Sequence, residues 1–303
     1  MTIALDNDAV QSSTPPVQTG SAGTTTARKA VRWAAGHWVL ALSVAVFGLA
    51  LLWALVPGLF TGYDPIAIDN SRKLLPPSAD HWFGTDLLGR DLYARIVYGA
   101  RASLLGASLA VAVAVVVGSA LGAIAGWFGG FGDTVVMRLI DVLLSIPGFL
   151  LAITIVVLYT ARTGNAGLVP AAIAVGLTSA ATFARLIRAE VLRVRASNYV
   201  EAAVTSGATT WSILRRHVIP NSLAPTVSLI AVQLGIAIIW IASLSFLGLG
   251  AQPPDPEWGL LVSDGRKYIA TRGWLTLFPA LTIVAVVLAT NNISRHLSRR
   301  SAR

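Results

Sequence analysis

Six long apolar runs, separated by polar segments, organise the chain. They fall at about Trp38–Phe60, Ser103–Ala125, Leu139–Tyr159, Gly167–Ala184, Leu223–Leu247 and Trp274–Ile293. Each is close to the roughly 20 apolar residues that a helix needs to cross a bilayer. Inside and just beyond the second run, Gly118, Gly122 and Gly126 recur every four residues. In lipid, small residues at helical spacing let helix backbones approach closely, so these glycines predict packing within a bundle. The pattern predicts an all-α integral membrane protein with six transmembrane helices.

The polar segments define the remaining organisation. Residues 1–36 precede the first run, and the first 30 of them are rich in Ser, Thr, Gln, Gly and Pro. Such a tail buries too little apolar surface to offset its ordering entropy and is expected to be disordered. It is not a signal peptide, because its early charges are Asp6 and Asp8 and its basic cluster, Arg28, Lys29 and Arg32, comes late. The first membrane helix is expected within 37–60 and an extracytoplasmic segment over 61–102. A five-helix core is expected over 103–294, and a basic tail over 295–303. Within 61–102, Asp86 to Arg101 reads as an amphipathic stretch with Asp91 and Arg95 as a helix-stabilising pair four residues apart. It would touch a partner protein or lie flat on the membrane. The core contains a long loop, 185–222, and a Gly- and Pro-rich loop, 248–272.

Composition agrees with lipid as the main solvent. The 303 residues are 55% hydrophobic and 12% charged, with a mean hydropathy of +0.69; soluble domains carry about 25% charge. There is no cysteine, which excludes disulfides and thiolate metal sites. The net charge of +9 does not indicate nucleic acid, because the basic residues sit in short loops between apolar runs. With the amino terminus inside, the inside segments hold 14 Lys and Arg and the outside segments 9. That bias predicts two cytoplasmic termini.

Catalytic chemistry finds no support in the sequence. The four histidines, His37, His81, His217 and His296, are far apart. None of the three lysines, Lys29, Lys73 and Lys267, follows a glycine, so the Walker A phosphate loop is missing. No G-x-S-x-G elbow occurs. No catalytic residue, metal ligand or cofactor of this chain is therefore expected. A proton-coupled carrier needs ionisable groups in mid-membrane. The main acid, Asp141, is close to a helix end, three residues after Arg138, where an interfacial ion pair is the simpler reading.

The most informative stretch is Glu201-Ala202-Ala203-Val204-Thr205-Ser206-Gly207, followed nine residues later by His217-Val218-Ile219-Pro220. It predicts a short helix, about Asn198–Ser206, that presents Tyr199, Ala202, Ala203 and Ser206 on one face. Gly207 supplies the turn. Thr210 is expected to cap a second helix through Trp211, Leu214 and His217, and Pro220 marks entry to the fifth span. The product is a helix-turn-helix knob with a small alanine face, expected to project from the membrane into the cytoplasm.

This loop resembles the E-A-A-x-x-x-G motif of ABC-type importer permeases, in which Glu201, Ala202, Ala203, Gly207 and Pro220 match. His217 stands where the broad motif has Ile, and Ile219 where it has Leu. Further stretches resemble the C-type permease subunit of the dipeptide, oligopeptide and nickel importers, where His at that position is usual. They are Phe83–Asp91, Tyr98–Leu104, Gly129–Asp133, Arg216–Asn221 and Ser245–Pro254. The resemblance covers nearly everything after residue 36. It implies type I importer architecture in a bacterial plasma membrane and a homologous second permease. It also implies two ABC ATPase subunits that bind ATP and Mg and receive this loop in a groove, and an extracytoplasmic substrate-binding protein. Di- or oligopeptides are the implied substrate and nickel the alternative. A secondary carrier would need inverted repeats, and a membrane enzyme paired acids or a nucleophile. Neither is visible.

Thr178, Thr182, Gln233, Ser243 and Ser245 lie in the fourth and fifth runs. They either line a polar path or hydrogen-bond between helices. Trp53, Trp258 and Trp274 are expected as interfacial anchors.

Overall fold

A computed structural model describes residues 22–213, 215–216 and 219–301. The chain divides into a short amino-terminal unit, 1–39, and a main unit, 40–303. Ten α-helices follow one another among the described residues: α1 Ala22–Leu55, α2 Leu92–Phe128, α3 Gly130–Ser145, α4 Gly148–Thr163, α5 Leu168–Arg195, α6 Asn198–Thr205, α7 Thr210–Ile213, α8 Ile219–Phe246, α9 Trp258–Gly265 and α10 Trp274–Ser301. The described residues contain no strand, only an isolated bridge between Thr85 and Asp91.

Five helices are individually long and apolar enough to cross a membrane, and α3 with α4 makes a sixth, bent candidate. That pair corrects the straight third span expected over Leu139–Tyr159, because the chain turns by 94° between α3 and α4. The cause is Pro147. A residue before proline is driven out of the helical region, and Ile146 is extended, at φ −89° and ψ 133°. Several other helices overrun their apolar stretch. α2 starts eleven residues before Ser103, and α5 continues through Arg195, so the first part of the 185–222 loop is helical. The first helix stops at Leu55 rather than Phe60.

The glycine stripe is the seam between α2 and α5. A Cβ on Gly118 would lie 2.4 Å from the Ala180 carbonyl oxygen, one on Gly122 2.3 Å from that of Ala184, and one on Gly126 2.9 Å from Val191 Cβ. Gly176 returns the arrangement from α5, against the Ala110 carbonyl. Between lipid-solvated helices such contacts, rather than the hydrophobic effect, supply the attraction. α5 is the central helix, with 61% of its apolar window buried against 28% for α10. The outward faces of α2, α4 and α10 carry large exposed apolar side chains, including Val116, Leu158 and Leu288. In water such surface would be a liability, whereas lipid solvates it.

Candidate functional site

Two assemblies of side chains stand out, one at each end of the main unit. The first is the knob predicted from the alanine-rich loop. Val200 of α6 and Ile213 of α7 are buried with Ile187, Val191 and Val194 of α5, and Ala123, Trp127 and Ala208 pack around them. This apolar seat fixes both short helices on the end of α5. The opposite face is exposed: Tyr199 is 46% and Trp211 68% accessible, and Glu201, Ala202 and Ser206 are open. α6 ends where Ser206 Oγ and Thr205 Oγ1 donate to the Ala202 carbonyl, at 2.8 and 2.9 Å. Gly207 then adopts φ +81°, with no atom near the place of a Cβ. Glycine is needed there for its backbone conformation and not for space. The α7 cap is Thr209 rather than Thr210, its hydroxyl accepting from Ser212 N at 3.4 Å. Glu201 makes no ion pair with Arg215 or Arg216 among the described residues. His217 lies outside the described residues. Ala203 and Pro220 fall within α6 and α8.

Cross-helix ion pairs stiffen the stem that carries the knob. Arg188 of α5 holds Asp133 of α3 in a two-pronged pair at 2.5 and 2.6 Å. Arg185 reaches Asp141 at 2.6 Å, which replaces the local Arg138 pair expected from sequence. Arg195 donates to the Trp127 carbonyl at 2.7 Å and lies over that indole, 5.9 Å from its centroid. The bidentate Arg188–Asp133 pair fixes orientation as well as contact, and with the other two contacts it ties α3 and the end of α2 to the part of α5 that carries the knob.

The second assembly lies at the other end, and sequence reasoning missed it. Asp91 is the α2 N-cap, accepting from Ala94 N at 2.7 Å. Its other oxygen bonds His81 Nδ1 at 2.9 Å. It does not pair with Arg95, which corrects the expected i,i+4 pair. Arg95, 1% exposed, instead approaches Asp86 at 3.5 Å and Asp264 of α9 at 3.9 Å, and donates to the Pro65 carbonyl at 3.2 Å. Asp86 also accepts from Arg90 Nε at 2.7 Å and from the backbone of Leu88 and Arg90. Burial pushes the Asp264 carboxyl above its ordinary value, while Arg95 and Arg90 oppose that shift. Gly89 closes this knot, since a Cβ there would sit 1.8 Å from the Asp69 carbonyl oxygen. Of the stretch Asp86–Arg101, the residues before Leu92 form a tight turn and the rest is the first part of α2.

The loop before α9 is sealed to the same end. Glu257, 1% exposed, caps α9 through Leu260 N at 2.9 Å and accepts from Ser103 Oγ at 2.9 Å. Ser103 in turn accepts from Trp258 N at 3.1 Å. Trp258 is fully buried, its Nε1 donating to the Ile96 carbonyl at 2.9 Å. It is a core residue and not the interfacial anchor expected.

The residues suggested for a polar path are divided. Thr182 is exposed, and Ser243 lines an apolar cleft of about 440 Å³ with Phe149 and Phe246. Thr178, 9% exposed, donates to the Val175 carbonyl of its own helix. Gln233 is buried, and Ser245, fully buried, accepts from Ala251 N. No metal-holding cluster of His, Asp and Glu occurs among the described residues.

A bundle of membrane-length helices that seats a rigid knob on one end has the architecture of a transporter's membrane subunit. Residues 118–303 match the family of binding-protein-dependent transport system inner membrane components, and the chain belongs to that family. It is 38% identical over 249 residues to the probable D,D-dipeptide transport system permease protein DdpC of Escherichia coli, covering 82% of each chain. It is 40% identical over 255 residues to the dipeptide transport system permease protein DppC of Alkalihalophilus pseudofirmus, again covering 82% of each. Identity is also 40% over 266 residues to the glutathione transport system permease protein GsiD of Pectobacterium atrosepticum, over 87% of this chain and 84% of that one. Among solved structures, the fold is similar to a chain of the inward-facing MetNI methionine ABC transporter. The TM-score is 0.57 at 19% identity, over 70% of this chain and 98% of that one.

Proposed function

We propose that this permease subunit works in an ATP-driven importer of di- and oligopeptides, beside a homologous second permease. On this reading two separate ATPase chains bind ATP and Mg, and an extracytoplasmic binding protein delivers the substrate. The observation that carries the substrate class is the 38 to 40% identity, over four-fifths or more of the chain, to permeases named for dipeptides and glutathione. The knob supports the coupling role. Tyr199, Glu201, Ala202, Ala203, Gly207, Trp211, His217 and Pro220 would form or set the surface that docks into the ATPase. Because Val200 and Ile213 seat that surface on α5, a displacement of the ATPase would move α5 and α3 as a body. Alternating access follows as a rigid-body transition. Thr182 is the polar candidate that remains open to a path, since Ser243, like Thr178, donates to a carbonyl of its own helix, that of Ile239 at 2.8 Å.

Transport by the assembled complex tests this reading. Reconstituted with its partners, it should take up dipeptide and show ATPase activity stimulated by the loaded binding protein. This chain alone should bind no nucleotide. Micromolar nucleotide binding by the isolated chain, or uptake of nickel in place of peptide, would refute it.

The bias of Lys and Arg supports a cytoplasmic knob and two cytoplasmic termini. Reporter fusions after Arg303 and near Lys73 should report opposite sides, with Arg303 inside. A carboxyl terminus found outside would remove the knob from any cytoplasmic ATPase.

A further inference from the structure

We infer that this subunit carries its own binding site for the charged termini of a short peptide at the end opposite the knob. There Arg101 would take the carboxylate, and Asp255 with Asp64 the ammonium. This deepens the peptide reading above and rests on it. The site is a cavity of about 760 Å³ bounded by Tyr63, Asp64, Tyr98, Arg101, Leu105 and Asp255 among its lining residues. Its volume is in the range of small-ligand pockets, about 300–1,000 Å³.

The motif Tyr98–Leu104 divides its labour by helix face. Gly99 and Ser103, four residues apart, lie against Trp258 and Glu257. Tyr98, Arg101 and Leu105, at helical spacing, turn to the cavity instead. Packing explains Gly99 and Ser103 and leaves the other three residues unexplained. Arg101 is exposed and has no hydrogen bond or ion pair among the described residues, so no described carboxylate lies within 4.0 Å of it. That contrasts with Arg90, Arg95, Arg185 and Arg188, all paired.

Two acids border the same cavity without neutralising Arg101. Asp255 is exposed and unpaired among the described residues. Asp64 uses one oxygen to accept from Ile66 N at 2.8 Å. The cavity is therefore bordered by a guanidinium and by two carboxylates that do not pair with it, charges of both signs that a zwitterion would engage. The frame is rigid, because the turn bearing Asp255 is fastened two residues later by Glu257 and Trp258 to α2. A peptide fits better than an anionic lipid, whose headgroup offers no cation to the two acids around the same hollow. The shared chemistry with an ethanolamine headgroup is separated by experiment.

The measurement is saturation-transfer NMR on the full membrane complex in phosphatidylcholine nanodiscs, without binding protein. The probes are Ala-Ala, Ala-Ala amide, N-acetyl-Ala-Ala and glycerophosphoethanolamine. Arg101→Gln should weaken Ala-Ala about tenfold, the scale of a lost charge-assisted hydrogen bond, and leave the amide unchanged. Asp255→Asn should weaken Ala-Ala and leave the N-acetyl peptide unchanged. Because both peptides are read on the same variant, a folding defect would lower both and cannot mimic this pattern. Equal losses for free and blocked peptides, no loss, or no Ala-Ala signal on the wild type would overturn the site. So would displacement of Ala-Ala by an equal concentration of glycerophosphoethanolamine, which would mark a lipid site. A second readout, ATPase activity titrated with the loaded binding protein, identifies a docking surface: variants that change the half-stimulating concentration while leaving every NMR probe at its wild-type affinity would overturn the site equally. If the wild-type transporter takes up Ala-Ala but the variants show no such pattern, the site alone falls. If it takes up no peptide, the functional reading falls first.

Discussion

Gly122→Val is expected to remove most of the chain from the membrane. The Cβ would meet Ala184 backbone, with its oxygen at 2.3 Å and its carbonyl carbon at 3.0 Å. A side chain can rotate away from such a clash, but helix backbone cannot, so α2 and α5 would have to part. Separation would also open the contacts at Gly118 and Gly126, one turn to either side. Overpacking costs typically about 1–3 kcal/mol, and a backbone clash belongs at or above the upper end. Domains are stable by only about 5–15 kcal/mol, so a deficit of that size lowers abundance several-fold. Gly132→Ala is the control. It lies in α3 with no atom near the place of a Cβ, and helix propensity favours alanine by about 1 kcal/mol. Membrane abundance and thermal unfolding in detergent should separate the two variants. Wild-type accumulation of Gly122→Val would refute the seam between α2 and α5.

Ala203→Trp should leave abundance near wild type and uncouple the transporter. Ala202 and Ala203 have small side chains that suit a face pressed against another protein, and Ala202 is open on α6. An indole forced into such a contact would cost about 1–3 kcal/mol, which is a roughly 5- to 150-fold loss of association with the ATPase. Gly207→Val should act by another route. At φ +81° a β-branched residue is a conformational outlier, so the angle between α6 and α7 would change. Glu201→Ala separates an orienting carboxylate from a solvated one. The measurement pairs membrane abundance with substrate-stimulated ATPase activity of the assembled complex. Normal abundance with lost stimulation supports the knob as the coupling element. Normal stimulation in both Ala203→Trp and Gly207→Val would exclude it.

Much of this architecture was written in the sequence. Lipid accepts only backbone that satisfies its own hydrogen bonds, so five of the spans are long apolar helices that could be read as such, the bent pair α3 and α4 being the exception. The glycines at four-residue spacing and the knob were legible for a similar reason, since both are patterns within a few helical turns. Even the break at Pro147 was available locally, from the effect of proline on the residue before it.

The partners of the charged and polar side chains were not available in that way. A local rule paired Asp91 with Arg95 and Asp141 with Arg138. Instead Asp91 caps α2 and binds His81, and Asp141 meets Arg185, 44 residues away. Ser103 and Glu257 meet across 154 residues, and Trp258, amphipathic enough for an interface, is buried by the same contact. Sequence alone determined that these segments are helices and which of them enter the membrane, because that depends on the solvent each segment requires. The tertiary structure decided which charges meet. Burying a charge costs heavily unless a partner is brought to it, and the close approach of α2 to α5 and α9 brings partners that no spacing along the chain encodes.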